Sequence, residues 1–333
     1  AQQPECDSAI EDIVNEAITS DEVSQSITLR LDRLPYPDKI KRTISWYTEL
    51  RYLNDYRLNK KGIYNFSKND LELYKIERKA KLPSKILTKI NDNLCKVNIS
   101  KHEIFWPKSV SNDDLPWLYH EIFDSYDENP SSYNNPNLNY PGADWIIDAG
   151  CCEGYFSLFA FDINKNCSII ALEPLKEMKE SLYKTFKKKV IDNKFVLEQK
   201  VLGKSCGMVK FQFDSEHLCD SATSESSPVS EGSDDIFYDV PTINLDTLMD
   251  QYHLNENGVI KMDIEGAEMD ALQGGVELMK KYKPKLAVAV YHEYENAIKC
   301  KEIILKANPE YKVELRGMYG YYKPPRPYIL FAW

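Results

Sequence analysis

From Trp145 onward, short apolar runs alternate with longer segments in which apolar residues recur at helical spacing. This alternation predicts buried strands and amphipathic helices in turn, which is typical of a doubly wound, Rossmann-like α/β sheet. The predicted strands cover residues 145–149, 168–172, 195–202, 258–263 and 285–291. The predicted helices lie near residues 155–164, 175–189, 244–252, 266–281 and 294–308. Two further strands, 311–315 and 328–333, are joined by a turn containing Gly and Pro. They predict an antiparallel C-terminal hairpin that completes a seven-stranded sheet.

The first 135 residues have a different pattern. Helical spacing and short extended pieces occur there, with predicted helices at 8–23, 40–58, 71–79 and 115–126 and predicted extended pieces at 96–99 and 103–106. Turn-forming residues crowd segment 128–142, which predicts a linker or mobile loop, and the polar segment 221–235 predicts a flexible flap. We therefore expect a mainly helical extension over residues 1–135, used for substrate binding or oligomerisation, and an α/β domain over residues 136–333. Aromatic helices in the first 80 residues could form a homodimer contact.

Charge and cysteine usage narrow the class of protein. The net charge is −10 with mixed signs along the chain, which disfavours a nucleic-acid partner because phosphate binding needs a concentrated basic surface. No apolar run approaches the length of a membrane span, and the polar N-terminus does not resemble a signal peptide. Eight cysteines without a C-x-x-C pair are typical of reduced thiols. These features favour a cytoplasmic protein without a membrane span.

A glycine turn follows the first predicted strand. The sequence reads Asp148-Ala-Gly150-Cys-Cys-Glu-Gly154, and a helix begins directly after it. Glycine allows positive φ and leaves space for a ligand, while the free N–H groups of the helix point back toward the turn. The next strand ends at Glu173, and a carboxylate there suits the two hydroxyls of a ribose. The spacing predicts a nucleoside-type cofactor.

The nature of that cofactor follows from charge. The dinucleotide pattern G-x-G-x-x-G is absent, and Asp148 would repel a pyrophosphate. A cationic ligand without phosphate, such as S-adenosylmethionine, has no such conflict. Two alternatives stay open, namely a nicotinamide-dependent oxidoreductase on the same sheet and a strand–Gly–helix turn that binds no ligand.

A second polar group follows the predicted strand 258–263. Asp263, Glu265 and Glu268 place three carboxylates within six residues, at the sheet edge where α/β proteins bind ligands. His292 follows the neighbouring strand and could accept a proton from an attacking hydroxyl. Asp263 and Glu265 could instead cap a helix, and Asp263 with His292 or Glu293 could hold a metal ion.

Four segments together resemble the FkbM family of S-adenosylmethionine-dependent methyltransferases. They are residues 147–157, 171–174, 242–246 and 260–268, of which Lys-x-Asp-x-Glu-Gly-x-Glu is the most specific. The resemblance implies a class I methyltransferase fold and O-methylation of a hydroxyl on a sugar, a glycoside or a related small metabolite. It also implies that Asp148, Gly150 and Gly154 line the methionine end of the cofactor, that Glu173 binds its ribose, and that Asp263 and Glu265 face the acceptor.

The predicted site therefore has two parts. Cofactor binding is assigned to six residues, Asp148, Gly150, Gly154, Ser157, Glu173 and Pro174. Catalysis is assigned to Asp263, Glu265 and His292, with metal ligands left open. A non-catalytic adaptor that retains the fold remains an alternative to the enzyme.

Overall fold

The computed structural model describes residues 81–129, 131–213, 236–293, 295–319 and 326–333. The helices predicted at 8–23, 40–58 and 71–79 and the predicted flap at 221–235 lie outside these residues. The chain divides into two compact units, Ala1–Ser67 with Tyr319–Arg326, and Lys68–Met318 with Pro327–Trp333. All side chains discussed below belong to the second unit. The domain boundary at residue 135 stays a prediction.

The centre of the second unit is a seven-stranded sheet, as the sequence predicted. Its strands are β4 (Trp145–Ala149), β5 (Ser168–Leu172), β6 (Phe195–Glu198), β10 (Gly258–Met262), β11 (Lys285–Ala289), β12 (Val313–Tyr319) and β13 (Arg326–Ala332). The order across the sheet is β12-β13-β11-β10-β4-β5-β6. Strands β6, β5, β4, β10 and β11 are parallel, and β13 runs antiparallel to β11. This is the Rossmann-like arrangement expected for a class I methyltransferase, with strand order reversing between β4 and β10.

Helices alternate with the strands along the chain. They are α2 (Tyr155–Ile163), α3 (Met178–Thr185), α4 (Lys187–Ile191), α5 (Leu245–Gln251), α6 (Glu268–Gln273), α7 (Val276–Tyr282) and α8 (Asn296–Ala307). In α2, for example, Tyr155, Phe156 and Phe159 are buried. Burying an aromatic side chain of this size contributes about 2–3 kcal/mol each, so the packing of this face outweighs the weak propensity of aromatics for helices. No helix within the described ranges is long and apolar enough to span a bilayer.

Before the large sheet, the chain forms a small antiparallel sheet and a helix. The small sheet contains β1 (Lys85–Lys89), β2 (Leu94–Ile99) and β3 (His102–Pro107), and α1 spans Leu115–Phe123. The Phe105 amide donates a 3.0 Å hydrogen bond to the Thr185 hydroxyl at the end of α3. The extended pieces and the helix predicted in this region are confirmed, although the helix ends three residues earlier than predicted.

Three predicted elements are interrupted in the structure. The strand predicted at 195–202 ends at Glu198, and β7 (Val201–Leu202) then joins a separate three-stranded sheet. The pair β8 (Gly207–Phe213) and β9 (Ile236–Ile243) was not predicted. The helix predicted at 266–281 breaks at Gly274, where a Cβ would lie 2.5 Å from the Gly203 carbonyl oxygen. The helix predicted at 175–189 is divided at Phe186.

The segment 128–142 is not a linker, contrary to the prediction. Tyr133, Leu138 and Tyr140 are almost fully buried, and the Tyr140 hydroxyl donates a 2.6 Å hydrogen bond to the Tyr133 carbonyl oxygen. The Asn135 side chain accepts a hydrogen bond from the Asn137 amide. Turn-forming residues here build a compact loop, because its buried tyrosines supply the apolar surface that a mobile linker lacks.

Candidate active site

The glycine turn after β4 lies against the loop that follows β10. Gly150 has a φ of 69°, and a Cβ on it would lie 1.8 Å from the carbonyl oxygen of Asp263. Any side chain at this position would overlap that oxygen, so only glycine lets the two loops meet. The sequence suggested that Gly150 leaves room for a ligand, whereas the structure gives it a backbone neighbour. Gly154 ends the turn and is the residue before α2.

A buried ion pair between Asp148 and Lys261 lies next to this turn. Asp148 is fully buried, and its Oδ2 accepts a 2.6 Å hydrogen bond from the Ser157 hydroxyl. Its Oδ1 lies 3.5 Å from Lys261 Nζ, because Lys261 stands beside Asp148 in the register of β10 and β4. Lys261 also donates a 2.6 Å hydrogen bond to the Gly150 carbonyl oxygen. Lys261 therefore contacts both Asp148, at the end of β4, and the glycine turn that follows it.

Asp148 and Lys261 influence each other's pKa. Burial raises the pKa of Asp148, and the Lys261 ammonium and the Ser157 hydroxyl counteract part of that rise. Burial lowers the pKa of Lys261, but the nearby carboxylates of Asp148, Asp263 and Glu153 outweigh it and raise the pKa overall. A lysine buried among carboxylates therefore remains charged.

Glu173 is joined to the same turn. Its Oε2 accepts a 2.8 Å hydrogen bond from the Cys152 amide, and its Oε1 accepts a 2.9 Å bond from the Leu175 amide. Burial raises the pKa of Glu173 to about 7, despite these donors. Each carboxylate oxygen keeps a second lone pair, so both can accept another hydrogen bond. Pro174 follows directly, and its carbonyl oxygen accepts a 3.4 Å hydrogen bond from the Tyr238 hydroxyl.

Asp263 lies at the carboxyl end of β10 and is held by two tyrosines. The Tyr133 hydroxyl donates a 2.9 Å hydrogen bond to Oδ2, and the Tyr291 hydroxyl donates a 3.3 Å bond to Oδ1. Burial raises the pKa of both tyrosines well above its usual range, so both hydroxyls keep their protons and donate them. The orientation of the Asp263 carboxylate is therefore fixed from two sides.

His292 lies between three carboxylates. Its Nε2 is 3.1 Å from Glu265 Oε2 and 3.9 Å from Asp263 Oδ1, and its Nδ1 is 3.3 Å from Glu268 Oε1. Burial lowers the pKa of His292, but Glu268 and Glu265 outweigh it and raise the pKa well above its ordinary value. Burial also raises the pKa of Glu265 to about 7. In the absence of any cation, this cluster holds the imidazole in its protonated form.

Glu268 contacts both the histidine and the backbone of this cluster. It is fully buried at the start of α6, and its Oε1 accepts hydrogen bonds from the Ile264 amide at 3.0 Å and the Gly266 amide at 3.4 Å. Burial would raise the pKa of Glu268, but His292 and the hydrogen bond from the Ile264 amide lower it. Glu265, three residues before Glu268, has a φ of 53°, a conformation that residues other than glycine rarely adopt.

The alternative that Asp263 and Glu265 merely cap a helix is wrong. Helix α6 begins at Glu268, and no side chain forms a cap hydrogen bond at its N-cap residue, Ala267. Asp263 instead binds tyrosine hydroxyls, and Glu265 binds His292. Glu268 is the residue that accepts hydrogen bonds from the Ile264 and Gly266 amides before the helix, and the sequence analysis assigned it no separate role.

The structure brings the predicted residues to one edge of the sheet. Asp263, Glu265 and His292 place one ligand atom each within 4.8 Å of one another. Gly150 contacts the Asp263 backbone, and the turn connects it through Cys152 to Glu173. Ser157 is fully buried and touches Asp148, so its observed role is to position that acid. Direct contact between Ser157 and a cofactor stays a prediction, as do the other assigned roles.

Sequence reasoning missed three residues at this edge. Lys261 is a lysine inside an apolar strand, which is itself a signal because buried lysines need carboxylate partners. Glu153 is buried in the turn, where its Oε1 accepts a 3.2 Å hydrogen bond from the Tyr155 amide. Tyr133 gave no such signal, since its partner Asp263 is 130 residues away in the chain.

The comparison with family models decides the family. Residues 148–311 match the model described as "Methyltransferase FkbM domain". These residues form an FkbM methyltransferase domain. The match confirms the predicted resemblance and the predicted enzyme class, a methyltransferase. The FkbM domain includes the glycine turn, Glu173 and the entire Asp263 cluster. A second model, that of the bacteriophage T4-like portal protein (Gp20), matches residues 1–80, which lie outside the described residues.

Solved structures with related folds are distant. A methyltransferase FkbM from Methylobacillus flagellatus KT aligns over 68% of this chain at 18% identity and a TM-score of 0.45. The alignment spans 56% of that protein's chain. A SAM-dependent O-methyltransferase from Thermotoga maritima aligns at 13% identity and a TM-score of 0.34, over 76% of this chain and 78% of its own.

A fibrillarin pre-rRNA processing protein from Methanococcus jannaschii aligns at 11% identity and a TM-score of 0.36, over 75% of this chain and 96% of its own. No curated protein matches the chain. Similarity at this level gives no information on the substrate, so the acceptor must be inferred from the site.

Proposed function

We propose that the protein is an S-adenosylmethionine-dependent O-methyltransferase that acts on a hydroxyl of a sugar, a glycoside or a related small metabolite. The observation that carries this proposal is the position of two sets of carboxylates on either side of Gly150. Glu173 is joined to the turn on one side, and Asp263 contacts it on the other. A nucleoside and an acceptor bound at these two places would meet over the turn.

The cofactor half of the site suits S-adenosylmethionine. The two unused lone pairs of the Glu173 carboxylate match the two hydroxyls of a ribose. The turn is surrounded by the acids Asp148, Glu153 and Glu173, with Lys261 as the partner of the first. This negative environment suits a ligand that carries a sulfonium and an amino group, and it would repel a pyrophosphate. It also disfavours the nicotinamide alternative.

The acceptor half of the site suits a hydroxyl. Bound S-adenosylmethionine supplies a methyl group, whose bond to sulfur breaks as its bond to the acceptor oxygen forms, leaving S-adenosylhomocysteine. The oxygen must lose its proton in this step, and the carboxylates of Asp263 and Glu265 are the groups that can take it. Asp263, fixed by Tyr133 and Tyr291, holds the oxygen in place. Positioning of the two reactants supplies much of the rate acceleration in a bimolecular transfer.

Titration calorimetry with S-adenosylmethionine and S-adenosylhomocysteine tests the cofactor. We expect micromolar binding that is weakened at least about tenfold in Glu173→Ala, since a hydrogen bond to a charged group contributes about 1.5–3 kcal/mol. Glu180→Ala is the matched control, because this exposed glutamate lies outside the site and pairs with Lys184 on the same helix. Absence of binding in the unaltered protein would contradict the proposal and favour the non-catalytic adaptor. Fluorescence titration with NADH checks the oxidoreductase alternative.

Methyl transfer from labelled S-adenosylmethionine to a panel of sugars and glycosides tests the acceptor. Asp263→Asn should keep cofactor affinity and lose turnover, because it removes a negative charge from the acceptor side alone. Full activity in Asp263→Asn would show that the acceptor does not bind at the end of β10. Labelling of protein or RNA instead of the glycans would overturn the proposed acceptor class while leaving the cofactor assignment intact.

A further inference from the structure

Three side chains at the end of β10 and β11 have the spacing of ligands around one cation. The ligand atoms of Asp263, Glu265 and His292 all lie within 4.8 Å of one another. His292 Nε2 is 3.1 Å from Glu265 Oε2 and 3.9 Å from Asp263 Oδ1. Oxygen and nitrogen ligands about 2.1 Å from an octahedral ion lie about 3.0 Å apart when adjacent and about 4.2 Å apart when opposite. The observed separations therefore fit one shared ion with small side-chain adjustments.

The groups behind these side chains match those that support metal ligands. A metal-binding histidine usually directs its second ring nitrogen at a carboxylate, which fixes the ring and the tautomer. Here the fully buried Glu268 has Oε1 3.3 Å from His292 Nδ1, on the side of the ring opposite the other two carboxylates. A proton on Nδ1 leaves the Nε2 lone pair directed between Asp263 and Glu265. Glu268 Oε2 is itself buried and has no hydrogen-bond partner among the described residues.

The Asp263 carboxylate has the same kind of support. Tyr133 and Tyr291 donate hydrogen bonds to its two oxygens and fix its plane. Glu265 differs, because its carboxylate reaches His292 from a backbone with a positive φ of 53°. Two of the three candidate ligands are thus held in place by buried neighbours, which reduces the conformational entropy lost when an ion binds.

We propose that Asp263, Glu265 and His292 bind a divalent cation, with Glu268 as the positioning residue of His292. Two carboxylates and one imidazole suit Mn²⁺ or Mg²⁺, since oxygen-rich sites favour these ions and imidazole is also accepted by Mn²⁺. Three protein ligands leave about three octahedral positions for oxygens of water or of the acceptor. This role in acceptor binding rests on the proposed function, and it would favour an acceptor with two neighbouring oxygens, such as a vicinal diol. The ion would lower the pKa of the bound hydroxyl, so that its proton could pass to water instead of to a ligating carboxylate.

Binding of Mn²⁺ to the full chain, measured by electron paramagnetic resonance without cofactor or acceptor, tests the site itself. We expect one saturable Mn²⁺ per chain, displaced by an excess of Mg²⁺. Affinity should fall at least about 100-fold in the near-isosteric variants Asp263→Asn and Glu265→Gln and in His292→Asn. Glu268→Gln should weaken binding by about 10–100-fold, as expected for the partner of a ligating histidine. The matched control is Asp270→Asn, which removes one exposed carboxylate from α6 and should bind Mn²⁺ like the unaltered protein.

The same samples are titrated with S-adenosylhomocysteine, which reports whether each variant is folded. Saturable Mn²⁺ binding that is lost in the ligand variants while S-adenosylhomocysteine affinity is retained supports the cation site. Absence of saturable Mn²⁺ binding in a protein that binds S-adenosylhomocysteine would overturn it and leave the proposed function intact. Equal Mn²⁺ affinity in the unaltered protein and in Asp263→Asn would also overturn it. Mn²⁺ binding in a protein that fails to bind S-adenosylhomocysteine would contradict the proposed function instead.

Discussion

The Tyr133 hydroxyl donates a 2.9 Å hydrogen bond to Asp263 Oδ2, although the two residues are 130 positions apart. Tyr133 lies in the compact loop before β4, and Asp263 follows β10. The hydrogen bond connects a segment that the sequence presented as a linker to the carboxylate at the centre of the proposed acceptor site. Because Tyr133 is almost fully buried, the orientation of Asp263 depends on how this loop packs.

The first prediction concerns this pair. Tyr133→Phe should lower the free energy of unfolding by about 1.5–3 kcal/mol, since a buried hydrogen bond to a charged group is lost. In a double-mutant cycle with Asp263→Asn, chemical denaturation should give a coupling energy of about 1–2 kcal/mol. Tyr311→Phe is the matched control, because it removes a buried 2.7 Å hydrogen bond from a tyrosine hydroxyl to the Pro284 carbonyl oxygen. Its coupling to Asp263→Asn should be near zero, and equal coupling for both tyrosines would contradict the prediction.

The second prediction concerns Gly150. Gly150→Ala should lower the free energy of unfolding by about 2–5 kcal/mol, because its Cβ would overlap the Asp263 carbonyl oxygen and its φ is positive. Cofactor affinity should fall with it, since the turn must move. Gly203→Ala is the control, because a Cβ there meets no atom within 4 Å and should change stability by less than about 1 kcal/mol. Thermal denaturation followed by circular dichroism compares the two, and similar melting temperatures would refute the close approach.

The third prediction concerns the ion pair between Lys261 and Asp148. Lys261→Met should cost about 3–5 kcal/mol of unfolding free energy, because it leaves a fully buried carboxylate without its partner. Adding Asp148→Asn should restore part of the loss, since the stranded charge is then removed. The control Lys280→Met breaks an exposed 3.8 Å pair with Glu277 and should cost less than about 0.5 kcal/mol. Urea denaturation measures all four proteins. No recovery in the double variant would argue against the charge explanation.

The fourth prediction concerns pH. The pKa of Glu173 is raised to about 7 in the folded protein, and only the ionised carboxylate accepts hydrogen bonds from both ribose hydroxyls. Affinity for S-adenosylhomocysteine should therefore fall as pH drops below about 7, by up to about tenfold per unit, and level off above it. Calorimetry between pH 5.5 and 8.5 measures this, with Glu173→Gln as the control whose affinity lacks this dependence. A flat profile in the unaltered protein would contradict the assignment.

The raised pKa of Glu173 affects the stability of the cofactor-free protein in the opposite direction. Stability should fall as pH rises, whereas cofactor affinity should increase. The folded state holds the Glu173 proton more tightly than the unfolded chain, whose pKa is near 4.5. The contribution of Glu173 to the free energy of unfolding therefore falls as pH rises from about 4.5 to about 7. Unfolding measured across this range in the unaltered protein and in Glu173→Gln isolates that contribution.

The sequence alone determined the elements that depend on local pattern. Strands β4, β5, β10 and β11 begin where the sequence predicted, because each is a short apolar run bounded by polar residues and buried on both faces. Their order along the chain, alternating with helices, sufficed to predict a parallel α/β sheet with a C-terminal antiparallel strand. The carboxylates Glu173 and Asp263 could also be placed, since residues that follow parallel strands share one edge of the sheet.

The tertiary structure decided which of these groups meet. The strand order puts β4 between β5 and β10, and this places Lys261 beside Asp148 and the Asp263 carbonyl against Gly150. Helix α6 begins at Glu268, which places this acid behind His292. Each of these contacts joins residues on different elements, so it cannot be predicted from a local sequence pattern. The sequence supplied the residue types at the sheet edge, while packing decided that Tyr133 orients Asp263 and that the side chains of Asp263, Glu265 and His292 converge.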